Sequence, residues 1–293
     1  MLINRIIHTG KSEFQDVEIV ETVPYGTVLL LDGKMQSSEA DEWAYHEALV
    51  HIAMLHHPNP KSVFIMGGGE GATAREVLRH KTVEQVVMVD IDEVVCKFCE
   101  AHLPQNKAAF ADPRLKLIHD DAGAQLENWP GKFDVIISDL ADPVFGGPCY
   151  HLYTQDFYRD TVMSKLNPGG IFIGQAGPAG VLSSEECFSS INCTLRSVFP
   201  KVLPYHAHFP SFCDEWGFNM AFTDGDQTLL ASDEFDRRAS QRISGPELRF
   251  VDGASLPWFF GFSKTVRKAL EGEQHIFTKD NPKFLAHGKG LNA

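Results

Sequence analysis

Two carboxylates that follow an uncharged run are the first residues of this chain whose types and spacing could do chemistry. Residues 135–138 are typical of a buried strand, and Asp139 and Asp142 follow them before Pro143 stops regular structure. In open α/β sheets ligands bind beyond the carboxyl ends of the strands, so we expect both carboxylates to face a pocket. A plain turn, in which Asp precedes Pro, explains these residues equally well when they are taken alone.

A glycine-rich loop supplies the second signal. Residues 67–72 (Gly-Gly-Gly-Glu-Gly-Ala) follow a predicted strand and begin a predicted helix, a setting in which glycines let the backbone approach a nucleotide. Asp90 ends the next predicted strand, where a carboxylate can hold both ribose hydroxyls. Asp121 ends the third. The alternative is that both acids only cap helices.

Glu70 narrows the type of ligand. Its carboxylate would repel a pyrophosphate held at the helix N-terminus, which disfavours a dinucleotide. A nucleoside that carries a positive group fits better, and this points to an adenosyl sulfonium compound with a cationic tail facing Glu70. An ordinary methyl donor carries a carboxylate on that tail, which Glu70 would tolerate less well.

Alternating strands and helices place these residues in one sheet. Strands are predicted at 62–66, 85–89, 115–119, 134–138, 171–174 and 217–222, and helices at 73–79, 93–102, 156–165 and 184–198. The alternation predicts an α/β fold, a Rossmann-like, methyltransferase-type parallel sheet with helices on both faces. After Gly225 the signals weaken to helices at 233–241 and near 264–271, and we expect this tail to pack on the sheet.

A small antiparallel β domain precedes the sheet. Residues 14–21 and 27–31 are predicted strands, and Asp32-Gly33 is a hairpin turn. A helix predicted at 39–55 carries Tyr45 and His46. Because 58–60 (Pro-Asn-Pro) break the chain, we expect an N-terminal β domain with its linking helix over 1–57 and a catalytic domain over 58–293.

Composition limits the partners and the compartment. The chain has 39 acidic and 26 basic residues, a net charge of −13, which argues against nucleic acid or an anionic membrane and favours a cationic substrate. No apolar run reaches membrane-spanning length. Six scattered cysteines and no apolar leader predict reduced thiols in the cytoplasm. The histidines at 46, 51, 56 and 57 lack metal-ligand spacing, so no metal is expected.

Over nearly its whole length the sequence resembles the aminopropyltransferases of polyamine biosynthesis. The motifs that carry the resemblance are Phe14-Gln15-Asp16, Leu31-Asp32-Gly33 with Gln36, residues 41–47, the loop 67–71, residues 89–92, Asp121 and residues 139–143. Within the family it is most similar to the members that form thermospermine, in residues 3–12, 146–154, 175–178, 210–212 and 216–217.

The resemblance implies a role for each matching residue. The co-substrate decarboxylated S-adenosylmethionine, here called the donor, would be bound by Gln15, His46, Gly67, Gly68, Glu70, Asp90, Asp121 and Ala122. The acceptor amine would be bound by Gln36, Tyr45, Asp139, Asp142, Phe212 and Trp216. Asp139 matches the family's proton acceptor, and no cofactor is implied. Apolar N-terminal strands lead us to expect a homodimer or homotetramer.

Departures from the commonest spermidine synthase pattern bear on the acceptor. Glu70 replaces a shorter Asp, Leu140-Ala141 replaces two small polar residues, Ala122 replaces Gly, and Phe212 lies near where a tyrosine contacts the diamine. These changes make putrescine doubtful, so the expected reaction converts spermidine to thermospermine and releases methylthioadenosine. The alternatives are a spermine or spermidine synthase, then a methyltransferase, or a polyamine-binding regulator without activity.

Spermidine could give either of two tetraamines, thermospermine or spermine. Selection between them would depend on which side chains pair with the acceptor's charges far from the reacting amine, because an ammonium without a carboxylate is costly in an apolar site. Candidates are Asp214, Glu215 and Trp216, together with Glu42 on the helix that carries Tyr45.

Overall fold

The computed structural model describes residues 2–145 and 147–285. Gly146 of the motif at 146–154 and residues 286–293 of the predicted tail therefore lie outside the described residues. The strands are β1 (Ile3–Lys11), β2 (Asp16–Thr22), β3 (Gly26–Leu31), β4 (Lys34–Ser38), β5 (Ser62–Gly67), β6 (Gln85–Asp90), β7 (Leu115–His119), β8 (Phe133–Asp139), β9 (Leu166–Pro178), β10 (Lys201–Phe209) and β11 (Asp214–Phe222). The helices are α1 (Glu42–His56), α2 (Ala72–Leu78), α3 (Glu93–His102), α4 (Lys107–Phe110), α5 (Ala122–Asn128), α6 (Met163–Lys165), α7 (Phe188–Arg196), α8 (Ser232–Arg242), α9 (Leu256–Phe259) and α10 (Lys264–Gly272).

The N-terminal strands form an antiparallel sheet in the order β1-β2-β3-β4. At the β3–β4 turn Asp32 and Gly33 have φ angles of 49° and 71°, as a two-residue hairpin turn with an Asp-Gly sequence requires. Val17 and Ile19 of β2 alternate with more exposed residues and pack in a buried cluster with Val95 of α3. The small sheet is thereby held against the larger one through α3.

The larger sheet has the order β10-β11-β9-β8-β5-β6-β7. Strands β5 to β9 pair in parallel, which confirms the predicted Rossmann-like fold, and β11 runs antiparallel to both β9 and β10. We did not predict β10. Pro204 lies inside it, and a proline is tolerated there because β10 is an edge strand.

Helix α1 packs on the larger sheet. Ala48, Leu49 and Ile52 are fully buried in the core that includes the sheet residues Ile65 and Ile137. Tyr205 Oη of β10 donates to the backbone oxygen of Ala48 at 2.8 Å. The helix predicted to link the domains thus covers one face of the larger sheet, and the division between residues 57 and 58 stays a prediction.

The C-terminal segment packs on the same domain at two places. Phe235 of α8 is fully buried in the core under α1. Arg238 and Arg242 donate to the backbone oxygens of Leu55 and His57, where a cation stabilises the end of α1. Val266 and Leu270 of α10 belong to the core on the other face. No helix of the described residues is long and apolar enough to cross a membrane.

Two predicted helices differ from those observed. The segment predicted as a helix at 156–165 is a π-helical turn, Phe157–Val162, followed by the short α6. The helix predicted from residue 184 begins only at Phe188, because residues 181–187 form successive turns. These turns follow the end of β9 and reach the edge of the sheet that carries the acids.

Candidate active site

The two chemical signals of the sequence meet where the strand order reverses. β5 and β8 are neighbours at this switch point, and Gly67 pairs with Asp139 at their carboxyl ends. Gly68 N donates to the backbone oxygen of Asp139 at 3.1 Å. The glycine loop and the first acid therefore lie side by side at the position where open α/β sheets bind ligands.

The loop between β5 and α2 needs its glycines for two reasons. Gly67 and Gly68 have φ angles of 76°, a left-handed conformation that other residues rarely adopt. A Cβ at Gly67 would also collide with the backbone oxygen of Asp139. Gly69 N donates to Asp90 Oδ2 at 2.9 Å, so the loop turns toward the end of β6.

Asp90 and Asp121 both lie at this edge, but their local bonds differ. Asp90 accepts hydrogen bonds from Gly69 N and Asp92 N, and burial raises its pKa. Asp92, not Asp90, caps α3. Asp121 does cap α5, through a 2.8 Å bond to Ala124 N, and its role in ligand binding stays a prediction. Ala122 is the first residue of α5 and is buried.

Gln15 reaches the same edge from the small sheet. Its Nε2 donates to Asp92 Oδ2 at 3.0 Å, and Ser12 Oγ donates to the same oxygen at 2.6 Å. The loop before β2 is thereby attached to the end of β6 and lies beside Asp90.

Glu70 has a buried oxygen that faces a cation. The residue is only 9% exposed, its Oε1 lies 3.5 Å from His46 Nε2, and this oxygen has no hydrogen-bond partner among the described residues. Burial raises the pKa of Glu70 to about 7, against the effect of His46. Burial would lower the pKa of His46, but the carboxylates of Glu70 and Glu42 raise it to about 9. Glu70 Oε1 is thus a buried acceptor that could take a donor from a ligand.

Asp139 is held by two neutral donors. Tyr45 Oη donates to its Oδ1 at 3.0 Å, and Thr73 Oγ1 donates to its Oδ2 at 2.5 Å. Burial, with the charge of Asp139, raises the pKa of Tyr45, so the phenol stays protonated. We did not predict a role for Thr73, although its place in the first turn after the glycine loop is a usable signal.

Gln175 joins two of the predicted acceptor-side residues. It is 4% exposed, donates to Asp142 Oδ1 at 3.1 Å and accepts from Trp216 Nε1 at 3.0 Å. Burial raises the pKa of Asp142 to about 6. Sequence reasoning gave Gln175 no role, although the motif at 175–178 contains it.

Aromatic rings close the remaining side. The Tyr45 ring lies 5.7 Å from that of Phe212, which in turn lies 4.6 Å from the ring of Trp216. Gln36 and Tyr45 line one small cavity together with Phe209 and Phe212. Three of the predicted acceptor-side residues thus line one cavity, and direct contacts or Gln175 connect them to the other three, Asp139, Asp142 and Trp216. Their roles stay predictions.

Of the acids considered for the acceptor's far end, Glu42 already has cationic partners within the protein. Its oxygens accept from Arg75 at 3.0 and 2.8 Å and also lie next to His46. Glu42, His46 and Glu70 have atoms close enough to hold a metal ion, but the Arg75 guanidinium already occupies the carboxylate of Glu42. Glu215 pairs with His206 at 2.8 Å, whereas Asp214 accepts only from neutral donors among the described residues.

Fold and site together define a class: a Rossmann-like domain preceded by a small antiparallel sheet, with a glycine loop and buried acids at the switch point of its larger sheet. The family described as "Spermine/spermidine synthase domain" matches residues 42–230, and "Spermidine synthase tetramerisation domain" matches residues 1–39. The chain belongs to the spermine/spermidine synthase family of aminopropyltransferases.

Individual relatives agree with this assignment. The chain is 48% identical to thermospermine synthase ACAULIS5 of Arabidopsis thaliana over 99% of this chain and 84% of that protein. It is 44% identical to a polyamine aminopropyltransferase of Aeropyrum pernix over 97% of this chain and 90% of that protein. The crystal structure of spermidine synthase from Thermotoga maritima superposes with a TM-score of 0.82 at 30% identity, covering 92% of this chain and 89% of that one.

Proposed function

We propose that this protein transfers an aminopropyl group from decarboxylated S-adenosylmethionine to spermidine, giving thermospermine and methylthioadenosine. The observation that carries the proposal is Asp139. Its backbone oxygen accepts from Gly68 of the glycine loop, and among the described residues its carboxylate has only Tyr45 and Thr73 as side-chain partners. A base in that position is within reach of an amine that attacks a bound nucleoside.

The donor would lie along the edge from Glu70 to Asp121. Asp90 would accept hydrogen bonds from the ribose hydroxyls. Gln15 bonds to Asp92, two residues after Asp90, and Asp121 follows the neighbouring strand β7. The unpartnered Oε1 of Glu70 would receive the ammonium of the donor's aminopropyl arm. A charge-assisted bond to that ammonium replaces the bond that the buried oxygen lacks.

The reaction needs a base and correct positioning. An amine of pKa ~10 is protonated at neutral pH, and freeing its lone pair costs about 4 kcal/mol. Asp139 would take that proton while the nitrogen attacks the carbon next to the sulfonium. The new C–N bond forms as the C–S bond breaks, and its electron pair goes to sulfur. Because the leaving group, methylthioadenosine, is a neutral thioether, the step requires neither a cofactor nor a metal.

The acceptor would lie in the cleft between Asp139 and Trp216. Asp142 would hold an ammonium of the acceptor, with Gln175 fixing the direction of its carboxylate. The rings of Tyr45, Phe212 and Trp216 would cover the methylene chain, and Trp216 could face a cation.

The most specific part of the proposal is that the product is thermospermine and not spermine. Spermidine has one primary amine on a three-carbon arm and one on a four-carbon arm, and attack by the first gives thermospermine while attack by the second gives spermine. Both present the same group to Asp139, so the partners of the distant charges must select between them. The 48% identity to a thermospermine synthase and the departures from the spermidine synthase pattern support the first outcome.

Incubation with the decarboxylated donor and spermidine, followed by chromatography that resolves the two tetraamines, tests the proposal. We expect thermospermine as the main product, together with an equal amount of methylthioadenosine. Spermine as the main product would refute the regiochemistry, and strong turnover of putrescine alone would indicate a spermidine synthase. Binding of both substrates without release of methylthioadenosine would indicate a regulator.

We further propose that the protein acts as a homodimer or homotetramer joined through the small sheet. Residues 1–39 match the tetramerisation domain of the family. Ile3 and Ile6 of β1 expose about half of their apolar side chains, which a second copy could cover.

A further inference from the structure

We propose that Arg75 is a positioning residue for recognition of the donor's ammonium, which acts on Glu70 through Glu42 and His46. The inference rests on the proposed function, because it assumes that Glu70 receives that ammonium. Nothing in the sequence motifs pointed to Arg75, which lies in α2 and bonds to Glu42 of α1.

Arg75 holds Glu42 in a fixed direction. Its two terminal nitrogens donate to the two carboxylate oxygens of Glu42 at 3.0 and 2.8 Å. The Glu42 side chain is 7% exposed and that of Arg75 is 19% exposed, so water competes little with this fork. Paired bonds between a planar guanidinium and a carboxylate fix geometry as well as charge. Burial works against ionisation of Glu42, yet His46 and Arg75 lower its pKa to about 2.

Glu42 in turn orients His46. His46 Nδ1 lies 2.6 Å from the backbone oxygen of Glu42 and 3.1 Å from its Oε2, an i,i+4 pair within α1. Both neighbours are acceptors, so Nδ1 carries a proton and donates. The other ring nitrogen, Nε2, is therefore the one that faces Glu70 Oε1 at 3.5 Å.

A second branch from Arg75 holds the backbone of Glu70. Nη1 of Arg75 donates to Asn106 Oδ1 at 2.6 Å, and Asn106 Nδ2 donates to the backbone oxygen of Glu70 at 2.9 Å. Asn106 is fully buried. One guanidinium thus supports both the main chain of Glu70 and, through two side chains, the environment of its carboxylate.

The charges alternate along this path, from Arg75 to Glu42 to His46 to Glu70. A lysine at position 75 could not make both hydrogen bonds to the Glu42 carboxylate. The buried negative charge of Glu42 would then be only partly compensated, and it would attract its remaining cationic neighbour more strongly. That neighbour is His46, whose movement would change the setting of Glu70 Oε1. The ribose side is separate from this path, because Asp90 lies at the end of β6 and bonds to Gly69 and Asp92.

The test compares two ligands that share the methylthioadenosine part. Only the donor carries the aminopropyl arm with its ammonium and the positive charge on sulfur. Calorimetry would measure the dissociation constants of the decarboxylated donor and of methylthioadenosine for the wild-type protein and for Arg75→Lys. We expect the donor to bind ~10-fold more weakly to the variant, the usual scale for a disturbed charge-assisted bond, and methylthioadenosine to change less than ~2-fold.

Arg79→Lys is the matched control. Arg79 is on the same helix and, like Arg75, bonds to Glu76, but it does not touch Glu42. We expect Arg79→Lys to leave the ratio of the two dissociation constants at the wild-type value, even if the melting temperature falls. If Arg75→Lys does not fold, Glu42→Gln removes the same ion pair with little change in shape and should show the same selective loss.

Three outcomes would count against the proposal. Parallel weakening of both ligands in the Arg75 or Glu42 variant would indicate a purely structural role for Arg75, and unchanged binding of both would indicate no role. A wild-type protein that binds the donor no better than methylthioadenosine would instead refute the assignment of Glu70 in the proposed function, and the inference would fall with it.

Discussion

The carboxylates at the two ends of the cleft have different kinds of side-chain partner. At the donor end each carboxylate lies next to a cationic side chain of the protein. Glu42 pairs with Arg75, and Glu70 lies next to His46. At the acceptor end, Asp139 and Asp142 are bonded to hydroxyl and amide donors, and in the described residues neither forms an ion pair.

This difference matches what each end would have to do. A carboxylate whose charge is already compensated keeps a fixed position and binds one more cation without rearrangement. A carboxylate that is bonded to neutral donors is held in place, but its negative charge is not compensated. It can therefore accept a proton or bind an ammonium. Under the proposed function, the donor end would thus recognise a cationic ligand, and the acceptor end would bind the amine and take its proton.

Removing the proton acceptor should have the largest effect. Asp139→Asn keeps the shape of the side chain, and Tyr45 and Thr73 can still contact it, but the amide cannot take a proton from the amine. We expect turnover to fall by ~10²-fold or more, as is usual when a general base is lost, with donor affinity little changed. Steady-state release of methylthioadenosine measures this.

Asp160→Asn serves as the control, because Asp160 is exposed and, in the part of the chain that the structure describes, pairs only with Arg159. It should retain wild-type turnover. Near-normal turnover by Asp139→Asn would remove Asp139 from the mechanism and with it the functional contrast between the two ends.

The affinities for the donor and for the acceptor should depend on pH with midpoints about one pH unit apart. Under the proposed function both Glu70 and Asp142 would bind an ammonium only when ionised, and burial raises their pKa values, to about 7 and about 6. Donor affinity should therefore fall as the pH drops through 7, and acceptor affinity as it drops through 6, each by ~10-fold per unit below the pKa. The charged groups that act on Glu70 are His46, Glu42 and Asp139, and those that act on Asp142 are Lys34 and Glu186.

Titration of each binding constant from pH 8 to 5 measures these midpoints. Methylthioadenosine, which has no ammonium, should show no loss of affinity near pH 7. A donor affinity that is flat across that range would contradict the role of Glu70, and Asp142→Asn should abolish the acceptor's midpoint near 6.

The smallest predicted effect concerns the aromatic wall. Trp216→Phe keeps a ring against Phe212 but removes the Nε1 donor to Gln175, which in turn holds Asp142. Loss of one hydrogen bond of ordinary strength should raise the KM for spermidine ~5-fold and leave the KM for the donor unchanged. An equal change in both constants would show that Trp216 acts on the fold and not on the acceptor end.

Much of the fold could be predicted because its signals are local. α3 and β7 have the predicted bounds, since an uninterrupted apolar period lies between clear breaks. The acids at 90, 121 and 139 were placed at strand ends for the same reason. β10 was missed because Pro204 interrupts its apolar pattern, and only pairing with β11 along its length makes it a strand.

The sequence by itself determined which residues stand at the carboxyl edge of a parallel sheet, because strand period and glycine spacing are properties of short segments. Only the tertiary structure decided what each acid touches. Tyr45 meets Asp139 across 94 positions, and Arg75 meets Glu42 across 33. Such contacts depend on how helices pack on the sheet, and packing is set by the whole core, so no local pattern distinguishes Asp139 with its neutral donors from Glu42 with its cations.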